Sequence, residues 1–360
     1  MSYLQRIADA YTDVHLSKPE MAYYARHLLL PGIGKEGQQK LKAARVLVIG
    51  AGGLGCPALQ ALAGSGVGQL TVVDGDVVAQ SNLARQWLHT PDDVDLNKAE
   101  SAQRAVAAMN PYVQAEVVSE MLTPANAEAL IAAHDLVIDA TDDMEVRYLI
   151  DEVCAQFDRP WVHAALYRSR GQICTFWETY GARFKHMYPE KSEAPSCSGA
   201  GILGASASVI ANYQALEAVK LITACATAGV GKVVSIDTFS MQQQVFTLPG
   251  VFAPEVIEAV DRLPAHSCTV DELRQRRSIA EPIRLIDIRS AKLHAQGAIP
   301  DSEFLDVDDL LQTDFSGRQR VVLYCEEGSI SGLIADALRS RNADTVFHLE
   351  GGYRAWQESS

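Results

Sequence analysis

The sequence lacks what a secreted or membrane-bound chain would need. Residues 1–20 alternate charged and apolar side chains with no apolar stretch of the signal-peptide kind. The most apolar stretches, around 46–68 and 199–211, are rich in Gly, Ala and Ser and lie between polar strand and helix signals. Buried core helices account for them better than membrane spans. Basic residues are also short: 31 Lys and Arg face 45 Asp and Glu, a formal net charge of −14. That balance argues against a general nucleic-acid or anionic-membrane surface, which would repel the chain, but it allows one small basic pocket for phosphates. Seven cysteines occur, an odd number without paired spacing. They fit a reducing compartment and point away from a disulfide framework. The expected location is the cytoplasm. No internal repeat or low-complexity segment is present.

What the sequence does have is a core. Hydrophobic residues make up 48% of 360, enough for two globular domains at roughly 150 residues each as a soft prior. A helical lead-in at 21–44 is broken at Pro31-Gly32. Strand-like runs follow at 46–49, 70–73, 136–140, 161–165 and 172–177, with amphipathic helix patterns such as "NKAESAQRAVAAM" and "PANAEALIAAH" between them. This alternation predicts an α/β fold, a Rossmann-like, mostly parallel sheet with helices on both faces. A helix from 204 to 222 and a strand pair in "KVVSIDTFSMQQQVFTL" complete a first domain over 1–248. Periodicity fades across 249–264, the expected linker. A smaller alternation over 265–360 then predicts a second α/β domain, with helices at 270–277 and 329–341 and strands at 283–288, 320–324 and 345–349.

The run "RVLVIGAGGLG" puts Gly50, Gly52 and Gly55 between a strand and a helix, with Gly53 and Leu54 inside the turn. Such glycines allow a tight turn and let backbone N–H groups approach a phosphate at the helix N-terminus. Asp74, about twenty residues on, ends the next strand where a carboxylate can take a ribose hydroxyl, with Asp76 beside it. The turn alone does not separate a dinucleotide from ATP. The following residues do: Asn82, Arg85 and Gln86 in "SNLARQ", Lys98 in "LNKAES", then Asp142 and Arg147 in "IDATDDMEVR". A hydride site needs an apolar slot for nicotinamide. Cations beside a carboxylate suit a triphosphate with Mg²⁺. An NAD-dependent oxidoreductase remains the less favoured alternative.

The order RH-x-L, GAGGLG, DGD, SNLARQ, NKAES and DATDD-x-x-x-R, followed by a late Cys-x-x-AG-I-L, resembles the ThiF/MoeB/HesA adenylyltransferases, relatives of the ubiquitin-activating enzymes. The resemblance spans about residues 20–248. It implies that ATP adenylates the C-terminal Gly-Gly carboxylate of a ubiquitin-like sulfur-carrier protein. It further implies that Asp74 holds the ribose, that Asn82, Arg85 and Lys98 contact phosphates, and that Asp142 binds Mg²⁺. Arg26 matches an arginine that the family donates to its partner subunit's ATP site, which implies a homodimer; Tyr23 stands where a second arginine is common. Cys197, on a Gly-rich loop, matches a cysteine implicated in sulfur handling. Many members hold a structural zinc with two Cys-x-x-Cys pairs. Here that place offers Arg183 and His186, so no structural zinc is expected and packing alone should hold the segment. His163 and His186 read as structural. The nucleophile would be a carboxylate, ionised at neutral pH, so the absence of a Ser-His-Asp or Glu-His pairing is no obstacle.

The runs "RLIDIRSAKLHAQGAIPDSEFLDVDDL", "VVLYCEEGSISGLIADAL" and "VFHLEGGYRAW" resemble a rhodanese-like domain. Cys325 ends a strand and opens a turn before a helix, where N–H groups can cradle a persulfide sulfur. Ala298 replaces the usual His of the preceding motif. Glu326 and Glu327 flank the thiol where a thiosulfate-binding loop would carry arginine, and would repel a dianion. A persulfide passed from a protein, such as a cysteine desulfurase, is easier to reconcile with this loop; the alternative is a carrier-binding adenylyltransferase whose rhodanese-like domain is non-catalytic.

Overall fold

The computed structural model describes residues 11–30, 32–189, 201–224, 229–252, 266–279, 281–315, 317, 319–339, 343 and 345–359. Its contacts group the chain into two compact units, Met1–His15 with Gln39–Ile257 and Leu16–Gln38 with Glu258–Ser360. The segment 16–38 thus groups with the small unit.

Three helices open the chain: α1 (Lys18–Tyr23), α2 (Ala25–Leu28) and α3 (Gly34–Ala43). A capping box starts α1: the Glu20 N–H donates to Ser17 Oγ and the Ser17 N–H to Glu20 Oε2, which satisfies two donors that the first turn leaves open. The large unit then builds one sheet from β1 (Arg45–Ile49), β2 (Gln69–Val73), β3 (Gln114–Val118), β4 (Leu136–Asp139), β5 (Trp161–Tyr167), β6 (Arg170–Phe176), β7 (Lys232–Asp237) and β8 (Gln242–Thr247). The strand order is β3-β2-β1-β4-β5-β6-β7-β8. Pairing is parallel from β3 through β5 and antiparallel from β5 to β8. Connecting helices are α4 (Gly55–Ser65), α5 (Lys98–Met109), α6 (Ala127–Ala133), α7 (Met144–Gln156), α8 (Phe184–Met187) and α9 (Gly204–Thr223).

The central strands are mostly apolar because both faces are covered. Val46 and Val48 enter one buried cluster with Leu59, Leu62 and Ile210, while Leu47 and Ile49 enter another with Val137, Ile150 and Trp161. Because the chain crosses from β3 on one side of β1 to β4 on the other, the strand order reverses beside β1. A crevice opens at such a switch point beyond the carboxyl ends of the strands.

In the segment where zinc cysteines would fall, an ion pair joins the packing. Arg183 Nε meets Asp151 Oδ2 at 3.0 Å and its Nη1 meets Glu178 Oε2 at 2.6 Å. The Phe184 N–H donates to Asp151, and the Phe184 ring lies among those of Tyr148, Trp161, Phe176 and Tyr188. His186 is exposed. Among the described residues, no group of three or more His, Cys, Asp or Glu could hold a metal.

The small unit carries α10 (Val270–Ser278), α11 (Ala291–Gln296), α12 (Val307–Gln312), α13 (Ser329–Arg339) and α14 (Gly352–Glu358) around five parallel strands. These are β9 (Ser267–Cys268), β10 (Ile283–Asp287), β11 (Glu303–Phe304), β12 (Arg320–Tyr324) and β13 (Val346–Leu349), in the order β11-β10-β12-β13-β9. Successive residues of β12 again enter opposite clusters, Leu323 with Ile286 and Tyr324 with Leu285. Ala25 of α2 belongs to the first of these, with Leu310, Phe315 and Val346.

Candidate functional site

A cavity of about 550 Å³ lies at the switch point of the large sheet, within the usual size of a small-molecule site. Its floor is the turn between β1 and α4. Gly50 sits at φ +97, and a Cβ there would come 2.8 Å from the Ala140 carbonyl oxygen. A Cβ at Gly55 would fall 1.9 Å from the Gly50 oxygen. Both positions therefore require glycine, since the turn presses on itself and on the end of β4. Gly52 and Gly53 meet nothing closer than 3.7 Å and, with Leu54, line the cavity.

Asp74, Asp76, Asn82, Arg85, Gln86, Lys98 and Asp142 line the same cavity. The Asp74 carboxylate braces the turn: Oδ2 accepts the Ala51 N–H and Oδ1 the Asp76 N–H, both at 2.8 Å. Each oxygen keeps a further lone pair for a ligand hydroxyl. Asp76 Oδ2 holds Lys98 Nζ at 2.8 Å. Lys98 opens α5, whose N-cap is Asn97, accepting the Glu100 N–H. Asn82 Oδ1 accepts the Ala79 N–H, closing a 3₁₀ turn and leaving its amide donors. Arg85 is half-buried and donates to the Ser81 carbonyl. Gln86 is buried, and its Oε1 has no partner among the described residues. Asp142 is exposed, and nothing described bonds its carboxylate.

Beneath this rim sits a buried network that the sequence reading did not join, although it named Arg147 and His163. Asp139, at the end of β4, accepts from His163 Nδ1 at 2.7 Å, from Arg147 Nε at 3.2 Å and from the Thr141 N–H at 3.0 Å. Arg147 also donates to the Thr141 carbonyl at 2.6 Å, so the turn bearing Asp142 is pinned from both sides. Gln214 of α9 donates to the carbonyls of Asp139 and Val162. Burial alone would raise the Asp139 pKa, but the Arg147 charge and the hydrogen bonds from His163 and Thr141 hold it below the usual carboxylate range. Burial dominates at His163, whose pKa falls. His163 is structural in the sense that it orients this pair.

A second staple crosses the turn. His89 Nε2 lies 3.0 Å from the Ala51 carbonyl and Nδ1 2.8 Å from Ser101 Oγ on α5. The carbonyl can only accept, so the neutral ring carries its proton on Nε2. Met121, Leu122 and Val146 supply an apolar wall, suited to a flat base. The sequence reading named none of the three, and β3, just before the first two, went unrecognised.

Arg26 is exposed on α2, grouped with the small unit, and is not among the residues lining this cavity. Cys197 lies outside the described residues.

In the small unit, Cys325 follows β12 and is 5% exposed. Its sulfur accepts the Gly328 N–H at 3.2 Å and the Ser331 N–H at 3.4 Å, with Ser331 Oγ at 3.5 Å. The run Gly351-Gly352 backs this loop so closely that a Cβ at Gly352 would lie 2.4 Å from the Cys325 carbonyl oxygen. Arg289 bonds both oxygens of Asp287, the Gly297 carbonyl and Glu326.

With both sites described, comparison with known proteins decides the family. The ThiF family matches residues 24–254 and the rhodanese-like domain residues 269–359. The chain belongs to the ThiF family. This ThiF-family chain carries a C-terminal rhodanese-like domain, and it is similar across nearly its whole length to the probable adenylyltransferase/sulfurtransferase MoeZ of Mycobacterium tuberculosis. Identity there is 35% over 369 residues, covering 95% of this chain and 94% of that one. The SAMP-activating enzyme E1 of Haloferax volcanii is 40% identical over 229 residues, 63% of this chain and 84% of that one. Among solved structures, E. coli MccB crystallised with ATP superposes at a TM-score of 0.54 with 18% identity, over 66% of this chain and 73% of that one. That likeness concerns the fold alone. No described helix is long and apolar enough to cross a membrane.

Proposed function

We propose that this ThiF-family enzyme uses ATP to adenylate the C-terminal Gly-Gly carboxylate of a ubiquitin-like sulfur carrier, and that its rhodanese-like domain then supplies sulfur to give a thiocarboxylate. The observation that carries the reading is the gathering of the Gly50–Gly55 turn, Arg85, Lys98, Asp74 and Asp142 around one cavity. It is supported by relatives that align with 95% of this chain and are named for both activities.

The residues suit ATP with Mg²⁺. The turn amides and the first turn of α4 face the phosphates, Asp74 takes the ribose, and Met121, Leu122 and Val146 take the base. Asp142, exposed and without a described partner, offers the hard oxygen that Mg²⁺ prefers. Mg²⁺ would offset charge on the phosphate oxygens. Lys98 would exchange Asp76 for a phosphate oxygen, with Arg85 and the Asn82 and Gln86 side chains completing the contacts. The carrier carboxylate is ionised at neutral pH, with a pKa near about 4, and attacks the α-phosphorus while pyrophosphate leaves. Positioning and charge neutralisation are then the main requirements.

For the second step, Cys325 would bear a persulfide taken from a protein donor such as a cysteine desulfurase, its sulfur held by the Gly328 and Ser331 amides. Cys197 is the proposed second participant. A homodimer in which Arg26 of one subunit reaches its partner's ATP site, working in the cytoplasm, completes the reading. Carrier-dependent exchange of pyrophosphate into ATP tests the first step: Arg85→Ala and Asp142→Ala should each lose roughly 10²–10³ in rate. Unimpaired exchange in both would remove the site. Cys325→Ala should still form adenylate yet fail to form thiocarboxylate.

A further inference from the structure

Residues 16–38 leave the large unit and return to it at one place. On α3, Lys42 Nζ donates to the His15 carbonyl at 3.0 Å and Gln39 Nε2 donates to the Val14 carbonyl, so the two feet of the segment are tied together. Leu41, between those donors, is buried in the core of the large sheet. The segment itself packs elsewhere. Ala25 is buried in one cluster with Ile286, Leu310, Leu323 and Val346 of the small unit, and Leu29 packs against the same cluster. α1 lies against α12. Within the segment, His27 Nδ1 is 3.1 Å from Oε1 of the fully buried Gln38, and the His27 ring stacks on that of Tyr24.

Arg26 stands exposed on α2, next to Ala25 and two residues before the buried Leu28. A helix of four residues does not hold itself in water, so tertiary packing fixes it. For α2 that packing runs through Ala25 into the small unit's core. The backbone that aims Arg26 is therefore set by the rhodanese-like domain, although the residue lies some 240 positions before that domain begins.

We infer that the small unit is the mount of Arg26: its core positions the arginine that completes the partner subunit's ATP site, so adenylation in one subunit depends on the rhodanese-like domain of the other. This rests on the reading in which Arg26 is donated across a homodimer. Leu310, Leu29 and Ala25 are positioning residues for that step. The domain that handles sulfur in the second step thus has a structural part in the first, at a site its own cysteine never approaches.

Complementation in mixed dimers of the full-length chain tests this, read by carrier-dependent pyrophosphate exchange. One chain carries Arg26→Ala and keeps its cavity. The other carries Arg85→Ala and keeps its arginine. The two are coexpressed with different tags and purified through both. Each parent alone should lose roughly 10²–10³ in rate, and the mixed dimer should regain exchange because the intact cavity receives the intact arginine. Leu310→Ala is then placed on one chain at a time. On the chain that donates Arg26 it should cost about 10²-fold, in kcat far more than in the KM for ATP, as expected of an interaction made mainly in the transition state. On the chain that supplies the cavity it should cost nothing. Leu29→Ala, a smaller lesion from the other side of the same packing, should show the same asymmetry with a smaller loss. The comparison holds even where Leu310→Ala unfolds the small unit, since both arrangements carry the same lesion. Equal losses on either chain, or no loss on either, overturn the inference. If the mixed dimer without Leu310→Ala is no more active than its parents, Arg26 is not given across a dimer, and the reading beneath the inference fails.

Discussion

The guanidinium of Arg147 rests against the carboxylate of Asp139 at 3.2 Å, with side chains 8% and 0% exposed. One member of this pair lines the cavity at the switch point and the other closes the central strand β4, so the sheet core and the cavity rim share an ion pair. Losing either partner leaves a buried charge unmatched. Arg147→Met should cost on the order of 3–5 kcal/mol of stability, read from urea unfolding, and Arg147→Lys less. A loss under about 1 kcal/mol would mean that Asp139 is adequately held by His163 and Thr141 alone.

The two buried histidines set a pH dependence. His163 and His89 are both held below their ordinary 6.5, chiefly by burial. The unfolded chain binds their protons near about 6.5 and the folded chain only at lower pH. Their contribution to stability is therefore complete above the unfolded value and is lost as pH falls through the folded ones. Asp139 acts in a lower window: its pKa lies below 3.8, so its contribution stands above that value and disappears only in stronger acid. Urea midpoints should be flat near about pH 7.5 and decline below about 6.5. Midpoints that rise on acidification would contradict this.

Three cysteines of the large unit should be inert. Burial pushes the Cys56 thiol up to about 12 and also raises Cys154 and Cys174. Reactivity follows the thiolate, which is scarce at each. Iodoacetamide at about pH 8 should leave all three unlabelled in the native protein and label them in urea, as mapped by peptide mass spectrometry. Native labelling of Cys56 would show that the turn above it opens readily.

The small unit depends on a segment far away in sequence. Ala25 is 4% exposed, in one cluster with Ile286, Leu310 and Val346. Ala25→Asp should destabilise that unit by about 2–4 kcal/mol through an unpaired buried charge. ATP should still protect the large unit from heat. An unchanged melting profile would show that the small unit folds without residues 16–38.

Much of this was readable from the chain, and the gaps have physical causes. The central strands and the cavity rim were legible because fully buried strands read as continuous apolar runs and phosphate turns need glycine. β3 was not: "QAEVV" is an edge strand, half exposed, so its composition carries little signal. Missing it placed β4 third in the chain, and it hid Met121 and Leu122. The Asp139, His163 and Gln214 network was invisible because its members meet only through tertiary folding. So was the partner of the 16–38 segment, whose helices were evident but whose buried face named no neighbour. The expectation that packing alone holds the Arg183 region missed the Asp151 pair for the same reason.

The central claim is that the cavity at Gly50–Gly55 activates a carrier's C-terminus with ATP. Intact-mass spectrometry of Gly-Gly carriers incubated with the enzyme, ATP and Mg²⁺ tests it most directly. The account predicts a carrier adenylate that requires the free C-terminal carboxylate and disappears with Arg85→Ala. Carriers left unmodified while NADH, and not ATP, protects the protein from heat would contradict it.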